Sequence, residues 1–132
     1  MNSRKSLPDI LAVKDGSMQQ SIPTAWRLPF KNVASAFARG DYRLKSGVIG
    51  VSEISAEIAA HIQDSVQSYG ATLIELPEET WESSVCMWYG TYWDALVDLW
   101  TQEEGRSDLV LNVRVTESSF GFSFKVHMVY VP

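Results

Sequence analysis

The chain has a single cysteine, two histidines, no long apolar run and only three basic side chains after residue 45. Each shortage removes a class of protein. Cys86 alone cannot close an internal disulfide, and no neighbouring ligands suggest a zinc site around it. No stretch approaches the roughly 20 apolar residues that a membrane-spanning helix needs. The opening MNSRKSLPDILAVKDGS is broken by Asp9, Lys14 and Asp15, where a signal peptide needs an uninterrupted apolar core. These absences predict a cytoplasmic protein with no membrane partner, no cofactor and no metal.

What is present is a globular composition. The chain of 132 residues is 45% apolar and 11% aromatic, which suits one domain with a core of its own. Its net charge of −5 conceals an asymmetry. Residues 1–45 hold eight Lys/Arg against three acids, and residues 46–132 hold three against thirteen, so +5 precedes −10. A body that acidic repels a phosphate backbone, which argues against a nucleic-acid partner. It suits a basic protein partner, or serves solubility alone.

Residues 1–24 mix Ser, Pro, Gln and charge without period and read as a flexible N-terminal arm, leaving 25–132 as the domain. Pro29 is placed to open a helix and Gly40 to close it, with Phe30, Val33, Ala34 and Phe37 at helical spacing; this predicts a helix over Leu28–Arg39. The stripe Ile54, Ile58, Ile62, Val66, Tyr69 predicts a second helix, capped by Ser52 and ended by Gly70. After Gly70 the period becomes two. Ala71–Leu76, Trp81–Trp88, Trp93–Trp100, Leu109–Thr116 and Phe122–Val131 alternate between short turns, which predicts antiparallel pairing. The expected fold is therefore α+β and two-layer, with two N-terminal helices packed on one face of a four- to five-stranded antiparallel meander.

The outward face of that meander is where function is expected. Alternation places Glu82, Asp94, Asp98, Asn112, Arg114, Lys125 and His127 on it, together with Trp88, Leu96, Trp100, Val129 and Val131. Of these, Trp88, Asp94, Asp98, Trp100, Arg114 and His127 form the candidate partner-binding set. Ordinary cross-strand charge pairing on a wet sheet explains the charged row equally well, and the indoles can instead pack under the arm or the 77–81 connection. No catalytic assignment follows. Asp94 and Asp98 stand about 13 Å apart along a strand, too far for a glycosidase pair or a shared metal. Cys86 has no activating motif, and His61 and His127 sit in no recognised spacing.

The segment TWESSVCMWYGTYWDALVDLWTQEEGRSDLVLNVRV, with AFARGDYRL before it and the ending FKVHMVYVP, resembles a family of small bacterial proteins classed as a domain of unknown function. The resemblance covers about residues 30–132 and is strongest in WDALVDLWTQEEGRSDL. It implies a bacterial, intracellular protein and carries over no catalytic residue. Two readings stand. One is a non-catalytic interaction module, of the kind an immunity protein masking a basic toxin represents. The other is a small-ligand binder or modest enzyme with a pocket between helices and sheet, using Asp98, Arg114 and His127 beside Tyr42 and Trp100. A homodimer through the exposed sheet is compatible with both.

Overall fold

The computed structural model describes residues 8–132. Helix α1 (Thr24–Ala38) begins four residues ahead of the expected start, because its buried stripe does so too. Trp26, Phe30, Val33 and Phe37 line one face, and Pro29 sits inside the helix at the cost of one backbone bond. Packing of Trp26 outweighs that loss, since a buried aromatic side chain is among the largest single contributions to a core. Helix α2 (Ala56–Tyr69) is capped by Ser55, whose Oγ accepts from the Ile58 amide at 3.2 Å, and ends at Gly70 in the left-handed conformation, φ +78°. The expected cap, Ser52, lies three residues ahead of that position, and its N–H donates to the Phe124 carbonyl at 3.0 Å.

Five antiparallel strands follow the order β1 (Gln20–Ser21), β2 (Val85–Trp88), β3 (Trp93–Thr101), β4 (Gly105–Ser118) and β5 (Gly121–Tyr130). The expected meander is present, with both helices against one face of it. Along β3 burial alternates without exception from Trp93 to Thr101, as the period of two requires. Trp93, Ala95, Val97 and Leu99, with Leu109, Leu111, Val113 and Val115 from β4, meet the α1 stripe in one core.

Four expectations need correction. The segment 71–76 is not a strand; Leu73 makes one isolated bridge to Thr101, and the fifth strand comes from the N-terminal arm instead. That arm, where described, is docked. The Thr24 amide donates to the Ile10 carbonyl at 2.9 Å, Gln20–Ser21 pairs with β2, and Trp93 Nε1 donates to the Val13 carbonyl at 2.9 Å. Residues 1–7 of the expected arm lie outside the described residues.

The third correction concerns phase in β2. Trp81 and Glu82 belong to a 3-10 turn (Glu78–Glu82), and only Val85–Trp88 is extended. Register sets Cys86 against Ala95 and Trp88 against Trp93, so Cys86 and Trp88 face the core while Val85 and Met87 face out, the reverse of the expected assignment. The fourth lies in β5. A bulge opposite Asn112 and Val113 leaves His127 without a partner on β4 and resets the alternation beyond it. Val129 is buried at 3% exposure and Met128 stands out at 42%, again the reverse of a strict two-residue rhythm.

Candidate partner-binding surface

The outer face of the sheet carries three cross-strand rows. They are Asp94–Arg114–Lys125, Leu96–Asn112–Met128 and Asp98–Val110–Tyr130, with Met87 and Val85 extending the first two onto β2. Four of the six candidate residues, Asp94, Asp98, Trp100 and Arg114, therefore lie on this face as expected. Trp88 does not. Its ring packs on Trp93 with centroids 4.5 Å apart, and Lys14 Nζ of the arm lies 5.6 Å over it. His127 sits on the edge strand, at the bulge, and lines a cleft of about 450 Å³ with Ile58, His61, Ile62 and Ser65 of α2.

The acid–base row is a row in register but not an ion-paired one. Arg114 and Asp94 do not come within salt-bridge distance; the guanidinium instead lies 3.9 Å from the centre of the Tyr92 ring. That stack holds Arg114 against the start of β3, and its Nε is buried without a hydrogen-bond partner. Asn112, in the middle row, is 8% exposed and donates through Nδ2 to the Ala95 carbonyl at 3.2 Å.

Asp98 does more than decorate the face. Its carbonyl accepts from Thr80 Oγ1 at 2.7 Å, its N–H donates to Ser84 Oγ at 2.9 Å, and its carboxylate accepts from Ser83 Oγ. These three bonds clamp the 3-10 turn onto β3. The consequence is an open depression of about 440 Å³ in which Glu79, Glu82 and Ser83 surround Trp100 and Arg106. The indole is half-buried and its Nε1 has no hydrogen-bond partner. More acid is anchored beside it. The Thr72 amide donates to Glu103 at 2.9 Å and holds that carboxyl below its ordinary range, and the Tyr69 hydroxyl donates to Glu104. This end of the molecule thus gathers Glu78, Glu79 and Glu82 from the 3-10 turn and Glu103 and Glu104 from the β3–β4 turn. Composition pointed to an acidic body but not to this end, because nothing in the spacing shows that the 78–82 segment folds back beside Trp100.

Groups that could do covalent chemistry are not arranged for it. Burial pushes the Cys86 thiol up to about 11, and its Sγ contacts the Ser21 carbonyl at 3.6 Å. Among the described residues no three His, Cys, Asp or Glu side chains cluster to hold a metal ion, and no helix is long and apolar enough to cross a membrane.

Against known families, residues 34–132 match the domain of unknown function DUF7668. The chain belongs to that family. The matched region opens inside α1 and takes in α2, the 3-10 turn and β2 to β5, hence the whole of the Trp100 depression. No curated protein and no solved structure matches the chain.

Proposed function

We propose that this chain is a non-catalytic interaction module that holds a basic protein partner at its acidic end, around Trp100. A bacterial, cytoplasmic setting and an immunity-like role, masking a basic protein, belong to the same proposal. The observation that carries it is the depression itself: a half-buried indole beside Arg106, flanked by Glu79 and Glu82, which make no ion pair among the described residues. An aromatic anchor desolvated at the centre and rimmed by charge is the usual make-up of an interface hot spot. Carboxylates of like sign draw a cationic partner in and raise its rate of encounter. Asp98 serves as the clamp that keeps the 3-10 turn in place. Asp94 and Arg114 lie on the adjoining face, outside the depression.

The test is a pull-down from host lysate with the wild-type chain and with the Glu79→Lys, Glu82→Lys double variant. At low salt the wild type is expected to retain a basic protein that the double variant loses. Retention should fall as salt rises, because the Debye length shrinks from about 30 Å at 0.01 M to about 8 Å at 0.15 M. Equal retention by both chains would sink the reading.

A second reading rests on the cleft between α2 and β5. Its volume, about 450 Å³, and its lining by Ile58, Ile62, Met128 and Val129 with His61 and His127 suit a small, largely apolar ligand. A thermal-shift screen decides: a ligand at 100 times its dissociation constant stabilises the fold by about 2.7 kcal/mol. Flat melting curves over a broad metabolite set would leave the cleft without a role.

A further inference from the structure

The outer face of the sheet is matched to itself. In each cross-strand row the β3 residue and the β5 residue are complements: Asp94 with Lys125, Leu96 with Met128, Asp98 with Tyr130. Strand β4 runs between them. A two-fold axis laid along β4, just above the outer face, carries β3 of one copy over β5 of another at the same height along the strands. We infer that two copies of this chain pack outer face to outer face about such an axis, forming a homodimer.

In that arrangement Asp94 of each copy meets Lys125 of the second copy, twice by symmetry, as an isologous contact requires. Leu96 meets Met128, and the Tyr130 hydroxyl reaches the Asp98 carboxylate. Asn112 and Val110 lie on the axis but are nearly buried in their own chain, so the flanking β3 and β5 residues make the contact. Arg114 is also near the axis, but its stack on Tyr92 draws the guanidinium toward β3 and away from its counterpart. Aligned sheet packing brings two such faces to about 10 Å, with a twist of about −30° that leaves the central rows best matched.

Charge selects the occupant. The chain carries −5, so two copies repel each other on average. Across the three rows, Asp94 and Asp98 offset Arg114 and Lys125, giving a neutral face with both acids on β3 and the two cations on β4 and β5. Half-buried Val85 and Leu96 and the 42%-exposed Met128 supply apolar area to bury around Val110, which is itself buried. A strongly basic partner gains nothing from a neutral face, whereas a second copy sets Asp94 against Lys125 at two symmetric places. The rows adjoin the Trp100 depression and share Asp98 with it, but Asp94 and Lys125 lie outside it, so variants at those two positions test the dimer and leave the depression intact.

Sedimentation equilibrium on the full chain provides the test. Wild type is expected at twice its 14.8 kDa mass. Asp94→Lys sets cation against cation at two symmetric places and Lys125→Glu sets anion against anion. Like charges in contact cost several kcal/mol, so each single variant should weaken the dimer by about 100-fold or more. Asp94→Lys with Lys125→Glu in one chain restores opposite signs and should restore the dimer. An equimolar mixture of the two single variants should form a heterodimer. Circular dichroism checks that each variant is folded. A wild-type monomer at about 100 μM, where mass action would reveal even a weak dimer, overturns the inference and leaves the face to a different protein. A dimer indifferent to both single changes, or a folded double variant that stays monomeric, overturns it as well.

Discussion

Trp93→Ala is expected to destabilise the chain by about 3–5 kcal/mol, the range for truncating a buried aromatic to alanine. Few positions combine so many dependencies. Trp93 is 1% exposed, and its ring lies 5.3 Å from Trp26, 4.5 Å from Trp88 and 6.0 Å from Phe122, centroid to centroid. It thus joins α1, β2, β3 and β5 through one side chain. Its Nε1 also donates to the Val13 carbonyl, which fastens the residues ahead of β1 to the sheet. Urea unfolding followed by far-ultraviolet circular dichroism measures the loss. Trp93→Phe separates the two contributions: most of the burial is kept, the bond to Val13 is lost, and the expected cost of that bond is about 1 kcal/mol. In both variants amide exchange in residues 8–16 should rise more than exchange in β4, since the arm depends on that bond and β4 does not. A Trp93→Ala chain as stable as wild type would mean that the arm and the aromatic cluster do not hold the fold.

The parts of this fold legible in the sequence are those with one strong, uninterrupted period. Helix α2 follows from its apolar stripe and Gly70, and β3 follows from nine residues of clean alternation between Trp93 and Thr101. The parts that were not legible depend on events between segments. The phase of β2 is decided by its pairing with β3, because VCMW has an apolar residue at every position and so no preferred face. Ser52 reads as a cap, yet the chain stays non-helical through Ser55, tied at Ser52 to the Phe124 carbonyl, and the helix begins only at Ala56. Gln20–Ser21 is too short and too polar to announce a strand, and it becomes one because the β2 edge needs a partner. Of the candidate surface, Asp94, Asp98, Trp100 and Arg114 were placed correctly by alternation alone. The Trp100 depression was not foreseeable, since it requires the Thr80, Ser83 and Ser84 hydroxyls to fasten the 3-10 turn to Asp98.

The bulge in β5 makes the second large prediction, a pair of substitutions one residue apart with opposite outcomes. Val129→Asp is expected to cost about 3–5 kcal/mol, because it sets an uncompensated charge in the core, where Val129 is 3% exposed and opposite Leu111. The desolvated carboxyl should also take up a proton, so part of the lost stability should return as the pH falls toward 4; burial raises a carboxyl above its ordinary value of about 3.9. Sign follows from linkage: a folded-state value above the unfolded one favours the native state at low pH and penalises it above the folded value. Met128→Asp, at 42% exposure on the outer face opposite Asn112, should leave the stability of the single chain within about 0.5 kcal/mol, as surface changes do. Strict alternation from Phe122 predicts the reverse, with Met128 inside and Val129 outside. Urea midpoints of the two variants, read at low protein concentration so that association does not contribute, therefore decide whether an extra residue at His127 shifts the strand by one. If Met128→Asp proves the damaging change, β5 has no bulge, and the rows that match Leu96 to Met128 and Asp98 to Tyr130 dissolve with it.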